Sequence, residues 1–148
     1  MVAPIDRAAL TAWESLFRAQ VTLMGGFTAS PVWAGRSTRE YDVLYRLSGS
    51  PDGLRQVELA GGLLISQPSL SRMLERLCGD GLVERTPDPA DGRSSVHRLT
   101  PAGRELQREI GRAHARDVTA AMTGALTEDE LTTLTALTQK LIHTQASR

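Results

Sequence analysis

Cysteine, lysine and long apolar stretches are all scarce in this chain of 148 residues. The single cysteine, Cys78, excludes an intrachain disulfide framework and fits a reducing compartment. No stretch approaches the ~20 consecutive apolar residues that a membrane-spanning helix needs, and the first residues lack the apolar core of a signal peptide. From these absences we expect a cytoplasmic protein without a membrane partner.

An excess of charge of either sign is missing as well, because 17 basic residues balance 17 acidic ones. Lys140 is the only lysine, so the basic residues are nearly all arginines. A neutral composition does not by itself indicate a polyanionic partner, although a neutral protein can carry a local basic face. The order of the residues along the chain must therefore decide whether nucleic acid is a partner.

Patterns for catalysis, metal binding and cofactor binding are also missing. The three histidines are far apart in the sequence and have no cysteine companions, so we expect neither a metal site nor a cofactor. The pair Gly61-Gly62 lacks the lysine and the flanking strand of a phosphate-binding loop, and no nucleophile motif is present. We expect a protein that is not an enzyme.

The spacing of apolar residues predicts a chain that is mainly helical. Apolar side chains recur at steps of three and four over residues 6–24, and the same period returns in the two long segments after residues 100 and 127. Five of the predicted helices follow a side chain that can cap their free amide groups. These capping residues are Asp6, Ser37, Ser66, Thr100 and Thr127.

The middle of the chain has a different organisation, in which a short helix over 55–60 and a longer helix up to about residue 80 are separated by a turn. Two short strands follow, over 82–85 and 95–99, and the segment between them contains the hairpin signal Asp91-Gly92. This order is that of a winged helix-turn-helix. Its second helix can enter the major groove of DNA, and its hairpin, the wing, can reach the minor groove.

The second helix of this motif has a polar face that suits DNA. Its first turn carries small or hydrogen-bonding side chains, and two arginines follow one turn apart. Taken alone, those arginines could equally form a solvated helix face beside Glu75, and Arg93 could serve only to stabilise the turn of the wing. The residues predicted to contact DNA are Ser66, Gln67, Pro68, Ser69, Ser71, Arg72, Arg76, Arg85, Asp91 and Arg93.

These motifs, in this order and at these spacings, resemble the MarR (multiple-antibiotic-resistance regulator) family of winged helix-turn-helix transcriptional regulators. The resemblance is carried by residues 56–60, 66–77, 81–85, 88–93 and 99–103, and it extends over nearly the whole chain. In the family's wing an aspartate orients an arginine at the tip. Asp91 and Arg93 match that signature, whereas Gly92 replaces its middle arginine.

The resemblance implies a homodimer that binds a pseudo-palindromic operator in double-stranded DNA, usually as a repressor that a small phenolic or anionic ligand releases. It implies one unit over residues 1–148, with a DNA-binding lobe over 38–100 and a helical dimerisation region over 1–30 and 101–148. The alternative is a winged-helix module for protein–protein assembly without specific DNA binding. Such a module would be expected to lack the arginines of the second helix and the wing.

Two further features have both a functional and a structural interpretation. Four aromatic residues could line a ligand pocket, namely Trp13, Phe17, Tyr41 and Tyr45, although aromatic residues at helical spacing are more often core. Cys78 could be a redox switch, but a small hydrophobic residue packed in the interior is the simpler interpretation.

Overall fold

The structure is a computed structural model that describes residues 4–146. It confirms a mainly helical chain with a small β-sheet wing. The helices are α1 (Arg7–Thr28), α2 (Thr38–Ser48), α3 (Gln56–Ala60), α4 (Gln67–Gly79), α5 (Pro101–Thr123) and α6 (Glu128–Ala146), with a short 3-10 helix over Pro31–Trp33. The strands are β1 (Leu54–Arg55), β2 (Val83–Pro87) and β3 (Ser95–Leu99). Within residues 4–146, none of the helices combines the length and the apolar character needed to cross a membrane.

The chain divides into two compact units. One comprises the chain up to Phe27 together with the chain from His114 onward, and the other is Thr28–Ala113. The first unit therefore holds nearly all of α1, the end of α5 and α6. The second unit holds the helix-turn-helix and the wing, and we call it the winged lobe. The functional division predicted from the sequence, 38–100 against 1–30 and 101–148, stays a prediction.

The predicted helix starts are confirmed by their caps. Asp6 Oδ1 accepts a hydrogen bond from the backbone N–H of Ala8 at 2.8 Å, and Ser66 Oγ accepts one from the N–H of Ser69 at 3.3 Å. Such caps stabilise a helix by about 0.5–2 kcal/mol each, because they satisfy amide groups that the first turn leaves free. Ser37, Thr100 and Thr127 accept equivalent bonds at the starts of α2, α5 and α6.

The core of the winged lobe is a cluster of aliphatic side chains contributed by α2, α3, α4 and the sheet. It keeps α4 fixed by one face, so that the opposite face remains accessible. The buried members of the cluster are Val43, Leu44, Leu47, Leu59, Leu70, Met73, Leu74, Leu77, Leu82, Val83 and Leu99.

The sheet differs from the predicted hairpin in two ways. Within the described residues it has three antiparallel strands in the order β1-β3-β2, with Val83 opposite Leu99 and Leu54 opposite His97. The sequence does not predict strand β1, because two residues are too few to show any alternation. The Asp91-Gly92 pair does not form a tight two-residue turn either. Strands β2 and β3 are joined by the longer segment 88–94, and the φ of Gly92 is not positive, as a type I′ turn would require.

A glycine ends α4 and turns the chain into the wing. The N–H of Leu82 donates to the carbonyl of Leu77, and the N–H of Gly81 donates to that of Cys78, both at 3.0 Å. This pattern is the Schellman motif, and it places Gly81 in the left-handed region with a φ of 73°. The end of α4 and the start of β2 are therefore held in a defined relation.

Candidate nucleic-acid interface

The first turn of α4 is exposed at Ser66, Gln67 and Pro68, and its side chains are tied to their neighbours. Besides capping the helix, Ser66 Oγ donates to Ser69 Oγ at 2.9 Å. Gln67 Oε1 accepts a hydrogen bond from Gln56 Nε2 of α3 at 3.1 Å. The two helices of the helix-turn-helix are thus linked at the point where α4 would meet base edges. The sequence does not predict this hydrogen bond, because the spacing of Gln56 and Gln67 along the chain gives no sign that the two side chains meet.

Arg72 lies one turn further along the exposed face of α4. Its guanidinium donates to Ser69 Oγ at 3.4 Å, and in the described part of the chain it forms no ion pair. Ser71 is half-buried and turns toward the wing, where it lines the cavity described below. Arg72 is therefore the arginine of α4 whose charge is not already neutralised by a neighbouring carboxylate.

Arg76 has a different environment from Arg72. Its Nε donates to Glu40 Oε1 in α2 at 3.1 Å, with the Arg76 side chain 55% exposed and the Glu40 side chain 7% exposed. Arg36 approaches the same carboxylate at 3.7 Å and also pairs with Asp80, the C-cap of α4. Two arginines and two carboxylates thus join α2 to the second half of α4.

Glu40 also completes the capping box of α2, because its Oε2 accepts a hydrogen bond from the backbone N–H of Ser37 at 2.9 Å. Burial raises the pKa of the Glu40 carboxyl, but the hydrogen bonds from Ser37 and Arg76 outweigh burial, so its pKa lies below the usual value. Glu40 is therefore held as a carboxylate. The sequence marks it as a helix-start residue and gives no sign of its contact with Arg76, 36 positions away.

In the wing, Asp91 acts on the backbone. Its Oδ1 accepts a hydrogen bond from the N–H of Arg93 at 3.0 Å, and its carbonyl accepts one from the N–H of Ser94, also at 3.0 Å. The Arg93 side chain is exposed, as is that of Arg85 on β2. At Gly92, no described atom lies within 4 Å of the position that a Cβ would take, so a side chain there would point into open space.

A cavity of about 610 Å³ lies between α4 and the wing, with α3 on a third side. Three arginines contribute to its lining, Arg55, Arg85 and Arg93, together with Cys78 and the buried His97. Burial raises the pKa of the Cys78 thiol, and the nearby Arg85 offsets this only in part. Cys78 is partly buried and packs against the core of the winged lobe, so the hydrophobic interpretation is consistent with its packing.

The four aromatic residues of the predicted ligand pocket fall into two pairs. Trp13 and Phe17 stack with ring centroids 6.4 Å apart in the first unit, and Tyr41 and Tyr45 lie 6.1 Å apart in the winged lobe. Tyr41 is buried and the other three are exposed. A pocket formed by all four stays a prediction. In the described residues no group of three or more His, Cys, Asp or Glu side chains could hold a metal ion.

Comparisons with known proteins agree with this architecture. The MarR family model matches residues 34–94. The multiple antibiotic resistance protein MarR of Salmonella typhimurium is 36% identical over 86 residues, which are 58% of this chain and 60% of that protein. The chain thus spans about three-fifths of the length of the curated relatives that it matches.

Two solved structures from Streptomyces coelicolor extend the likeness over the whole chain. AbsC, a MarR family transcriptional regulator, has a TM-score of 0.81 at 22% identity, with 99% of this chain and 100% of that chain covered; at this identity the likeness concerns the fold alone. Sco3205, a MarR family regulator solved in complex with DNA, has a TM-score of 0.79 at 26% identity, covering 96% of this chain and 90% of that chain. The class defined by fold and site is the winged helix-turn-helix. Within that class, the chain is similar to the MarR family, whose model matches residues 34–94.

Proposed function

We propose that this protein is a transcriptional regulator that binds a pseudo-palindromic operator as a homodimer and represses transcription. The observation that carries the proposal is the common face formed by α4 and the wing. Side chains of both elements line one concave region that includes Arg85 and Arg93, and Arg72 is exposed on the same helix, α4. A recognition helix beside a basic wing is the arrangement that reads adjacent major and minor grooves.

The proposed contacts divide by chemistry. Gln67 and Arg72, near the start of α4, are suited to base edges in the major groove, where amide and guanidinium groups discriminate between base pairs. Arg76 and Arg85 are suited to phosphates, which position the protein without reading sequence. Arg93, at the end of the wing segment, is suited to a narrow minor groove with its strong negative potential. Asp91 would act through the backbone of Arg93.

Dimerisation is proposed from the apolar faces of the first unit. Helices α1 and α6 carry many large apolar side chains that are exposed in the single chain, more than a monomeric protein normally leaves in contact with water. A second copy would cover them through a two-fold interface and would place one α4 on each half-site. These exposed side chains are Leu10, Trp13, Leu16, Phe17, Val21, Met24, Leu134, Leu137, Leu141 and Ile142.

Release from DNA by a small phenolic or anionic ligand belongs to the same proposal. The aromatic residues Trp13, Phe17, Tyr41 and Tyr45 are one candidate lining, and the arginine-lined cavity beside α4 is a second. Titration of the protein–DNA complex with phenolic carboxylates distinguishes the two. Loss of the response in Arg55→Ala, which changes the cavity lining, favours the cavity, and loss in Trp13→Ala favours the aromatic site. Such a protein acts by binding, without catalysis, and with DNA as its partner it would work in the cytoplasm.

Selection of bound sequences from a random or genomic DNA pool tests the proposed function. A homodimer with two recognition helices should enrich an inverted repeat whose half-sites are centred about one helical turn apart. A matched selection with Arg72→Ala should lose the enrichment at particular positions. If the protein retains no DNA, or enriches no sequence above the input pool, the proposal is wrong and the protein–protein assembly module becomes the better explanation.

A further inference from the structure

Glu40 differs from the other carboxylate-bearing residues of the winged lobe because it is buried. In the described part of the chain, Glu40 is the only acidic residue that is buried. A carboxylate is costly to remove from water unless hydrogen bonds and opposite charges surround it. Glu40 has both, with Ser37 N–H on one oxygen and Arg76 and Arg36 near the other. Its position is therefore tightly determined.

The contact between Glu40 and Arg76 involves only one nitrogen of the guanidinium, Nε. Arg76 donates to Glu40 through Nε, and its side chain stays more than half exposed. A guanidinium has five N–H donors, so four of them remain on the two terminal nitrogens. The hydrogen bonds and ion pairs among residues 4–146 leave those two nitrogens available. The Nε atom of Arg76 is thus fixed by Glu40, whereas its two terminal nitrogens can bind another group.

The neighbouring pair of Arg36 with Asp80 acts on the same helix. Asp80 caps the end of α4, and Arg36 lies between it and Glu40. Helix α4 is therefore attached to the start of α2 at two points, Arg76 and Asp80. Movement of α4 along or about its axis would break both contacts.

From this juxtaposition we propose that Glu40 is a positioning residue for operator recognition. It holds Arg76 through Nε, so that the terminal guanidinium nitrogens meet a DNA phosphate without having to be ordered first. This inference rests on the proposed function and assigns a role to a residue that does not itself touch DNA. An arginine ordered in advance loses less conformational freedom on binding, which favours the complex.

A double-mutant cycle on an operator recovered by the selection tests this role. Glu40→Gln keeps the size of the side chain and an oxygen for the Ser37 N–H, but it removes the charge that holds Arg76. We expect Glu40→Gln to weaken operator binding by roughly tenfold in the wild-type background. In the Arg76→Ala background, where the arginine is already absent, the same substitution should have little further effect. Equal losses in both backgrounds would overturn the proposal, because Glu40 would then act on the lobe as a whole.

Arg76→Lys provides a second measurement at a half-exposed position that does not threaten folding. Lysine keeps the charge, but its single ammonium group cannot bind Glu40 at one nitrogen and a phosphate at another. We expect weaker binding than wild type, with a salt dependence close to wild type. Arg76→Ala, by contrast, should lower the salt slope by about one for each phosphate that is no longer neutralised. Binding by Arg76→Lys as tight as wild type would overturn the proposal.

Glu130→Gln is the matched control, because Glu130 occupies the equivalent capping-box position in α6 and forms no ion pair within the described residues. It should leave operator binding unchanged, while thermal unfolding of every variant reports the folded fraction. Failure of the function and failure of the positioning role are distinguishable. If Arg72→Ala and Arg93→Ala also leave binding unchanged, the proposed function is wrong; if they weaken it while Glu40 and Arg76 show no coupling, only the positioning role is wrong.

Discussion

The first turn of α5 passes so close to the end of α4 that a Cβ on Gly103 would lie 1.9 Å from the carbonyl oxygen of Leu82. The same carbonyl accepts a hydrogen bond from the N–H of Thr100 at 3.1 Å. The hydroxyl of Thr100 in turn donates to the carbonyl of Gly81 at 2.6 Å. The start of α5 is therefore fixed to the corner between α4 and β2, and only glycine permits this approach.

Gly103→Ala should destabilise the protein. Although alanine favours helix by up to about 1 kcal/mol over glycine, the clash is with backbone, which cannot move aside as a flexible side chain would. We expect a net loss of about 1–3 kcal/mol in the free energy of unfolding, measured with urea. Gly79→Ala is the control, because within the described residues nothing lies within 4 Å of a Cβ there. Equal stabilities for the two variants would contradict the close approach.

Gly92→Arg should strengthen DNA binding. The position points into open space, so an arginine fits without strain and adds a positive charge to the wing beside Arg93. We expect tighter binding to any duplex and a salt slope steeper by about one for each additional phosphate neutralised. Gly92→Gln adds a side chain without a charge, so it should leave the salt dependence of DNA binding unchanged. An arginine variant with wild-type affinity and slope would place the wing tip away from DNA.

Leu137→Glu should convert the dimer into a monomer. Leu137 is exposed on the apolar face of α6 and would be covered by the second copy, where a carboxylate is costly to bury. Light scattering at micromolar concentration should show half the mass of the wild type, and operator binding should weaken because two half-sites can no longer be held together. Gln139→Glu, at an exposed position on the opposite face of α6, is the control. A wild-type protein that is already monomeric would refute the proposed interface.

His97 should make stability depend on pH. Burial in the winged lobe and the nearby Arg85 lower its pKa below the usual value of 6.5, against a smaller opposing effect of its hydrogen bond with Leu54. Between the lowered pKa of His97 in the folded protein and pH 6.5, the unfolded chain binds a proton that the folded chain does not. The contribution of His97 to the free energy of unfolding is therefore present in full above pH 6.5 and decreases as the pH falls below it. Urea unfolding at about pH 7.5 and about pH 5.5 measures the difference. His97→Gln should reduce this difference, and an equal difference in His97→Gln would show that another group causes it.

Local signals make much of this fold predictable. The caps at Asp6, Ser66 and Thr127 depend on residues two or three positions away, so a sequence pattern captures them fully. Strand β1 escapes prediction because its two residues pair with β3, more than 40 positions later, and show no period of their own. The hairpin signal at Asp91-Gly92 predicts that the two flanking strands pair, which they do, but it does not predict the length of the segment between them, which the strand register sets.

The candidate site is predictable in its residue types and less so in its contacts. Arg72 and Arg76 look alike in the sequence, one turn apart on the same helix. The structure separates them, because a carboxylate from α2 meets Arg76 and none meets Arg72 in the described residues. Such a pairing depends on how two distant helices pack, and no spacing rule encodes it. Arg85 and His97, which both line the cavity, are likewise brought together by the sheet register.

The most direct test of the central claim is to titrate Arg72→Ala and Arg93→Ala against one operator and its base-substituted variants. Arg72→Ala should cost about 1–3 kcal/mol and relax discrimination at particular base pairs, because a guanidinium in the major groove reads base edges. Arg93→Ala should weaken binding mainly where the flanking sequence is A·T-rich, since it responds to the width and potential of the minor groove. Wild-type affinity and discrimination in both variants would contradict the claim that this face binds DNA.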